Sequence, residues 1–354
     1  MEVIIMLAAV FEGNGRLVLK DRPRPELRND TDALIKVTGV GICGTDLHIL
    51  QVPPAHPAKL GITLGHEFTG EIVEVGSQIT DFAPGEAVLI DPHPGCGVCQ
   101  ECKRGNTDIC IPLMTTSGEP GHPNTIGIFS NGAMTSYVTV PRQALHKVSA
   151  DVPSHIRALA EPLACVVNAV DKLKVQPGDT VLVLGAGPIG LLFTALLKAN
   201  GASKLIVSEV SEYRRQAAKD CGASLTIDPT AEDLASVVAR ETDGGPDVVV
   251  EAVGPLLPQA IELVGTRGTV MQFGHDETVK PAIPVGVLLK KEVKILGGFI
   301  GRYSFSRAAK IMESGQLPLE RIVSHQLPLS RINEGIELLR QGKGIKIVLS
   351  PEEY

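Results

Sequence analysis

The 354-residue chain predicts a two-part α/β protein, with a mostly-β part and a parallel sheet covered on both faces by helices. Three observations carry this. The length exceeds what one hydrophobic core usually fills, which favours two domains. Up to about Val148 short β-branched runs are broken by Gly, Pro and Asp, the pattern of strands joined by tight turns. From Asp179 onward strand-like and helix-like segments alternate instead, as they do in sheets built from crossover units.

Taken in order, MEVIIMLAAVFEG opens with Glu2, has no basic flank and no small-residue cleavage pattern, so it reads as a buried strand and not as a secretion signal. ALIKVTGVGI, GEIVEVG and EAVLI follow as strands. After Asp151-Val-Pro-Ser the apolar residues of IRALAEPLACVVNAVDKL fall at helical spacing, with Ser154 as the expected cap. A domain boundary is therefore placed near residue 155. TVLVLG, IGLLFTALLKAN, KLIVSEV, YRRQAAKDCG, SLTI, a further helix and PDVVVEAVG then alternate. The apolar run from Thr180 to Leu197 approaches membrane-spanning length, but GAGPIG interrupts it, and a strand, turn and helix explain it better. Near Lys294-Ile-Leu-Gly-Gly the alternation ends; SRAAKIMESG and SRINEGIELLRQG read as helices and IKIVL as a closing strand.

The net charge of -7 and the absence of any Lys/Arg run speak against a nucleic-acid partner. Membrane association is not expected either. Seven cysteines form an odd set without a secretion signal, and four lie between residues 96 and 110. Metal binding in a reducing cytoplasm fits this better than disulfides. Cys165 and Cys221, in apolar helical contexts, read as small core residues.

Three constellations carry chemistry. Gly185, Gly187 and Gly190 form G-x-G-x-x-G directly after the strand TVLVL and before a helix, with Pro188 and Ile189 between the last two. The glycines suit a tight turn, close approach to a pyrophosphate, and phosphate charge at a helix N-terminus. Glu209 ends the second strand at the distance where a carboxylate binds the adenosine ribose and repels a 2'-phosphate. NAD is thus favoured over NADP, although Arg214 and Arg215 lie nearby.

The second constellation joins CGTDLH, Cys43 to His48, with GHE, Gly65 to Glu67. Thiolate, imidazole and carboxylate suit zinc, and three protein ligands leave a fourth position for substrate. Cys43 and His66 are two expected ligands; Glu67 and Glu161 (in EPLA) both stand as candidates for the third. Asp46 is placed to accept from the ring N–H of a ligating histidine. The third constellation, Cys96, Cys99, Cys102 and Cys110, is spaced C-x2-C-x2-C-x7-C. It departs from the ferredoxin pattern in its last spacing, and four thiolates close a tetrahedron around zinc with no open position. This predicts a structural staple.

CGTDLH, GHEFTGEIVEVG, the four-cysteine segment, EPLACVV, GAGPIGLL and GKGIKIVL occur in the order of the zinc-containing medium-chain dehydrogenases, which the chain resembles throughout, most closely the polyol group related to sorbitol dehydrogenase. The resemblance implies a GroES-like catalytic domain, residues 1–155 and 297–354, around a Rossmann domain, residues 156–296. It implies one catalytic and one structural zinc per chain, NAD, and a homotetramer or, failing that, a homodimer. Glu161 stands where many alcohol dehydrogenases have a cysteine ligand, and Glu209 and Arg214 match the acidic ribose binder and arginine of the polyol group. Arg302-Tyr303 resembles that group's substrate-contacting pair. Ile49 stands where polyol enzymes often carry an aromatic residue, and the chain has no tryptophan, unlike the corresponding stretch of threonine dehydrogenases.

The implied reaction is reversible oxidation of a secondary alcohol, a polyol above all, to a ketone with hydride transfer to NAD. Zinc acts as Lewis acid; Thr45 takes the hydroxyl proton and His48, with an ordinary pKa of about 6.5, releases it. L-threonine or a butanediol is the alternative substrate. Two other readings are a non-catalytic NAD- and zinc-binding redox sensor and a zinc-free quinone reductase.

Overall fold

The structure, a computed structural model, describes residues 4–276 and 278–351; the first three residues of the expected N-terminal strand lie outside them. The chain divides into two compact units. One comprises the residues up to Ala164, Ile300–Ser314 and Val323 onward; the other comprises Cys165–Phe299 and Gly315–Ile322.

In the first unit a seven-stranded sheet runs in the order Val323–Pro328, Lys346–Ser350, Asp32–Gly41, Glu67–Val75, Ala87–Ile90, Leu145–Lys147, with Tyr137–Pro141 paired to Asp32–Gly41. A separate hairpin, Ile5–Gly13 with Arg16–Pro23, is tied to the rest by bridges from Ala8 to Thr135 and Val10 to Thr63. The strand Asp32–Gly41 is nearly all buried, so both its faces are covered. Ile35, Leu64, Phe68, Ile90 and Met134 share this core with Ile347 from the far end of the sequence. Register then does functional work: Gly41 pairs with Glu67 on one side and with Val348 on the other. The closing strand is thereby brought beside the GHE motif.

The second unit is a six-stranded parallel sheet in the order Leu225–Ile227, Lys204–Ser208, Thr180–Leu184, Val248–Glu251, Thr269–Gln272, Lys294–Gly297. Counted along this sheet the strands run third, second, first, fourth, fifth, sixth. This is the Rossmann order, whose winding reverses between the first and fourth strands and opens a crevice at their carboxyl ends. Leu182, Ile206, Val249 and Val270 are fully buried, as strands covered on both faces require. The apolar run from Thr180 is resolved into a strand and the helix Pro188–Ala199. Among the described residues no helix is long and apolar enough to cross a membrane.

Two local expectations change. Ser154 is the first residue of the short helix Ser154–Arg157, not its cap; Pro153 takes the cap position and no side chain bonds the exposed amides. That helix packs on the strands Asp32–Gly41 and Glu67–Val75 of the first unit, and the helix Ala160–Leu173 runs unbroken across the division between units. The strand Val323–Pro328, parallel to the closing strand, was not expected from the sequence. Cys165 and Cys221 are buried as small core residues.

Candidate metal centres and dinucleotide site

Cys43 caps the helix Gly44–Ile49: its sulfur accepts from Thr45 N at 3.4 Å, and Asp46 Oδ2 accepts from Cys43 N at 2.9 Å. The reciprocal pair fixes the entry to the helix and holds the thiol at its mouth. Thr45 and His48, three residues apart on that helix, share a face and are half-buried. His66 and Glu67 arrive at the start of the adjacent strand. Ligand atoms of Cys43, His66 and Glu67 all lie within 4.8 Å of one another.

The field at this cluster favours added positive charge. Burial works against a charged His66 ring, yet Cys43, Asp46 and Glu161 outweigh it and push the pKa up to about 10. Where acidic groups hold a proton so firmly, a divalent cation fits, and the mixed S, N, O donor set suits zinc. Asp46 is 1% exposed, and burial raises its pKa. Its Oδ1 stands 3.8 Å from His66 Nδ1, beyond hydrogen-bond length.

Glu67 has a partner that the sequence reading missed. Lys346 Nζ lies 2.5 Å from Glu67 Oε2, with side chains only 3% and 2% exposed, and also donates to the Ile42 carbonyl. Gly41 makes this approach possible, since a Cβ there would collide with Glu67 Oε2. The signal was present: a lysine inside IKIVL is a charge in a buried strand, which needs a partner. Glu161 stands outside the three-residue set but close enough to raise the pKa of both His66 and Lys346. Asp91 and His93 also border the cluster: burial raises the Asp91 pKa to about 7, and burial together with the His66 charge pushes His93 down to about 3.

The four thiols of Cys96, Cys99, Cys102 and Cys110 gather within 4.8 Å of one another. Backbone amides turn toward them: Cys96 N donates to Cys110 Sγ and Cys99 N to Cys96 Sγ, both at 3.3 Å, and Cys102 N to Cys99 Sγ at 3.5 Å. The amides of Cys102 and Ile111 lower the Cys99 pKa to about 6, while burial pushes Cys102 up to about 12. N–H groups aimed at clustered sulfurs suit a tetrathiolate zinc site, where they offset the excess negative charge. Arg302 and Tyr303 lie against this lobe: Arg302 Nε donates to the Gly105 carbonyl at 2.7 Å, and Tyr303 OH stands 3.5 Å from the Cys102 carbonyl. Both side chains thus contact the lobe backbone.

In the second unit Gly187 caps the helix Pro188–Ala199, with Pro188 first and Ile189 next, and a Cβ on it would meet open space. At Gly190 a Cβ would collide with the Gly185 carbonyl, so strand and helix pack too closely for any side chain. A tight turn, open backbone and a helix N-terminus suit a pyrophosphate. Glu209 Oε2 accepts from Ala186 N at 2.7 Å and Oε1 from Ser211 N at 2.9 Å, which fixes the carboxylate beside the glycine turn. Arg214 N donates to the capping Ser211 hydroxyl. Arg215 is turned away: it bonds the carbonyls of Glu209 and Val210 and pairs with Asp228 at 2.9 Å.

Comparison with known proteins agrees with both units. The alcohol dehydrogenase GroES-like domain family matches residues 29–150, and the zinc-binding dehydrogenase family matches residues 188–314. An erythritol/L-threitol dehydrogenase of Mycolicibacterium smegmatis is 34% identical over 98% of both chains. An L-threonine 3-dehydrogenase of Pyrococcus furiosus is also 34% identical over 98% of both. A Sinorhizobium meliloti structure described as a zinc-binding dehydrogenase bound to NADP superposes with a TM-score of 0.89 at 32% identity, covering 98% of this chain and 99% of that one. With sorbitol dehydrogenases and D-xylulose reductases also among its relatives, the chain belongs to the zinc-containing medium-chain dehydrogenases, in their sorbitol-like polyol group.

Proposed function

We propose that this oxidoreductase oxidises a secondary alcohol of a polyol to the ketone, reversibly, with NAD as hydride acceptor. The convergence of the ligand atoms of Cys43, His66 and Glu67 within 4.8 Å of one another carries the proposal. Cys43, His66 and Glu67 would hold the catalytic zinc, and Cys96, Cys99, Cys102 and Cys110 the structural one. When bound, zinc supplies Lewis acidity to the hydroxyl oxygen and NAD supplies the hydride acceptor. The chain's own groups handle the proton and the orientation. Thr45 receives the hydroxyl proton and His48 passes it to solvent, while Asp46 accepts from the Cys43 amide and so holds that ligand at the helix mouth. By resemblance, Glu161 would serve the substrate hydroxyls and Arg302 and Tyr303 would contact the substrate. A reducing cytoplasmic setting and a homotetramer or, failing that, a homodimer are the readings that resemblance to the family supports.

The test is a panel of sugar alcohols, short diols, simple secondary alcohols and threonine, followed by NADH formation. A sugar alcohol is expected to give the highest kcat/KM. If threonine does so instead, the polyol assignment fails. Stoichiometric NADH binding without turnover of any alcohol would replace catalysis with the redox-sensor reading.

Glu209 directs the cofactor preference. Its carboxylate, held beside the glycine turn, would accept from ribose hydroxyls and repel a 2'-phosphate, and Arg215 is already paired with Asp228. Glu209→Ala is expected to raise KM for NAD by about tenfold, the scale of a lost charged hydrogen bond, and to narrow the NAD/NADP ratio of kcat/KM. An unchanged ratio overturns this role.

A further inference from the structure

The second unit carries a buried charge that the reaction does not use. Glu251 is the last residue of the fourth strand in the parallel sheet, Val248–Glu251, and is 0% exposed. Its oxygens meet donors only: Oε1 accepts from Val253 N at 2.9 Å and Gly254 N at 2.7 Å, and Oε2 from Gln272 Nε2 at 2.6 Å. Gln272 ends the neighbouring strand, and its Nε2 also faces the carbonyls of Gly254 at 3.3 Å and Gly274 at 2.8 Å. The Glu251 carbonyl in turn accepts from the backbone amides of Phe273 and Gly274. The loops that leave two adjacent strands are thus tied by one carboxylate and one amide.

Such a knot is a costly way to hold two loops. A buried carboxylate loses its hydration, and apolar residues of similar volume would pack the same space at least as well. Its position suggests what the cost secures. The carboxyl ends of these strands border the crevice where the winding reverses, in the half of the sheet that receives the second nucleotide. Glu209 and the glycine turn serve the first half. The loops after Glu251 and Gln272 need a fixed shape of their own, and Gly274 allows them to touch, since a Cβ there would strike Val253 N and Gly254 N.

We propose that Glu251 and Gln272 are a positioning pair that shapes residues 252–254 and 273–274 to receive the nicotinamide half of the cofactor. The inference rests on the dinucleotide reading above. It predicts that breaking the pair weakens only the second half of the binding site.

Calorimetric titration of the full-length protein with NADH and with ADP tests this, because ADP carries the adenosine and pyrophosphate but no second nucleoside. Glu251→Gln, and independently Gln272→Leu, are expected to weaken NADH binding by about tenfold and to leave ADP binding within about twofold of wild type. The second variant keeps the test open if the first does not fold. NADH affinity unchanged in a folded variant, or NADH and ADP weakened equally, overturns the proposal; the latter marks the pair as general support for the sheet. A wild-type protein that binds neither ligand overturns the dinucleotide reading itself.

Discussion

Cys43→Ser and His66→Ala are each expected to lower kcat/KM for polyol oxidation roughly a thousandfold or more, the scale of losing a catalytic metal. Each is also expected to cost one zinc per chain. The reason lies in the charge balance of the cluster. Cys43, Asp46 and Glu161 raise the His66 pKa to about 10, so the protein has concentrated negative charge around a group that must be neutral to bind metal. Removing either ligand leaves a two-donor remnant, too few to hold the metal. The glycine turn and Glu209 lie in the other unit, so NADH affinity should stay within about twofold of wild type. Metal analysis by mass spectrometry and titration with NADH check the two statements separately. Full turnover in a variant lacking that zinc would sink the catalytic-centre assignment.

Cys110→Ser is expected to act on stability first. Cys110 is 0% exposed and its sulfur accepts from Cys96 N at 3.3 Å, so the hydroxyl would leave a gap in both the ligand set and the packing. Structural zinc contributes binding free energy directly to folding. A loss of about 4 kcal/mol corresponds to a fall in apparent Tm on the order of 10 °C for a chain of this size. Thermal unfolding with and without a chelator measures it: wild type should fall toward the variant when zinc is withdrawn, and the variant should barely respond. A fully stable variant with hydride transfer specifically abolished would show that these cysteines belong to the reaction.

The two motifs were legible because metal and phosphate chemistry constrain residue type and local spacing together. C-x2-C-x2-C-x7-C can bring four sulfurs together within one short loop, and G-x-G-x-x-G carries its strand and helix beside it. The alternation of TVLVLG with helical segments likewise reported a parallel sheet, since strands buried on both faces must be apolar throughout. Local chemistry of this kind survives without knowledge of the rest of the fold.

What depended on pairing between distant strands was not legible. Lys346 lies 279 residues from Glu67, and only the register through Gly41 puts the two charges together. The same holds for Arg302, whose contact with Gly105 spans 197 residues, and for the Glu251–Gln272 knot between neighbouring strands. The sequence by itself determined the fold class, the cysteine cluster, the dinucleotide turn and the candidate ligands, because each is written in local spacing. Only the tertiary structure decided which acid gathers with Cys43 and His66 and which lysine neutralises it, because a buried charge takes whatever partner the sheet register brings within reach.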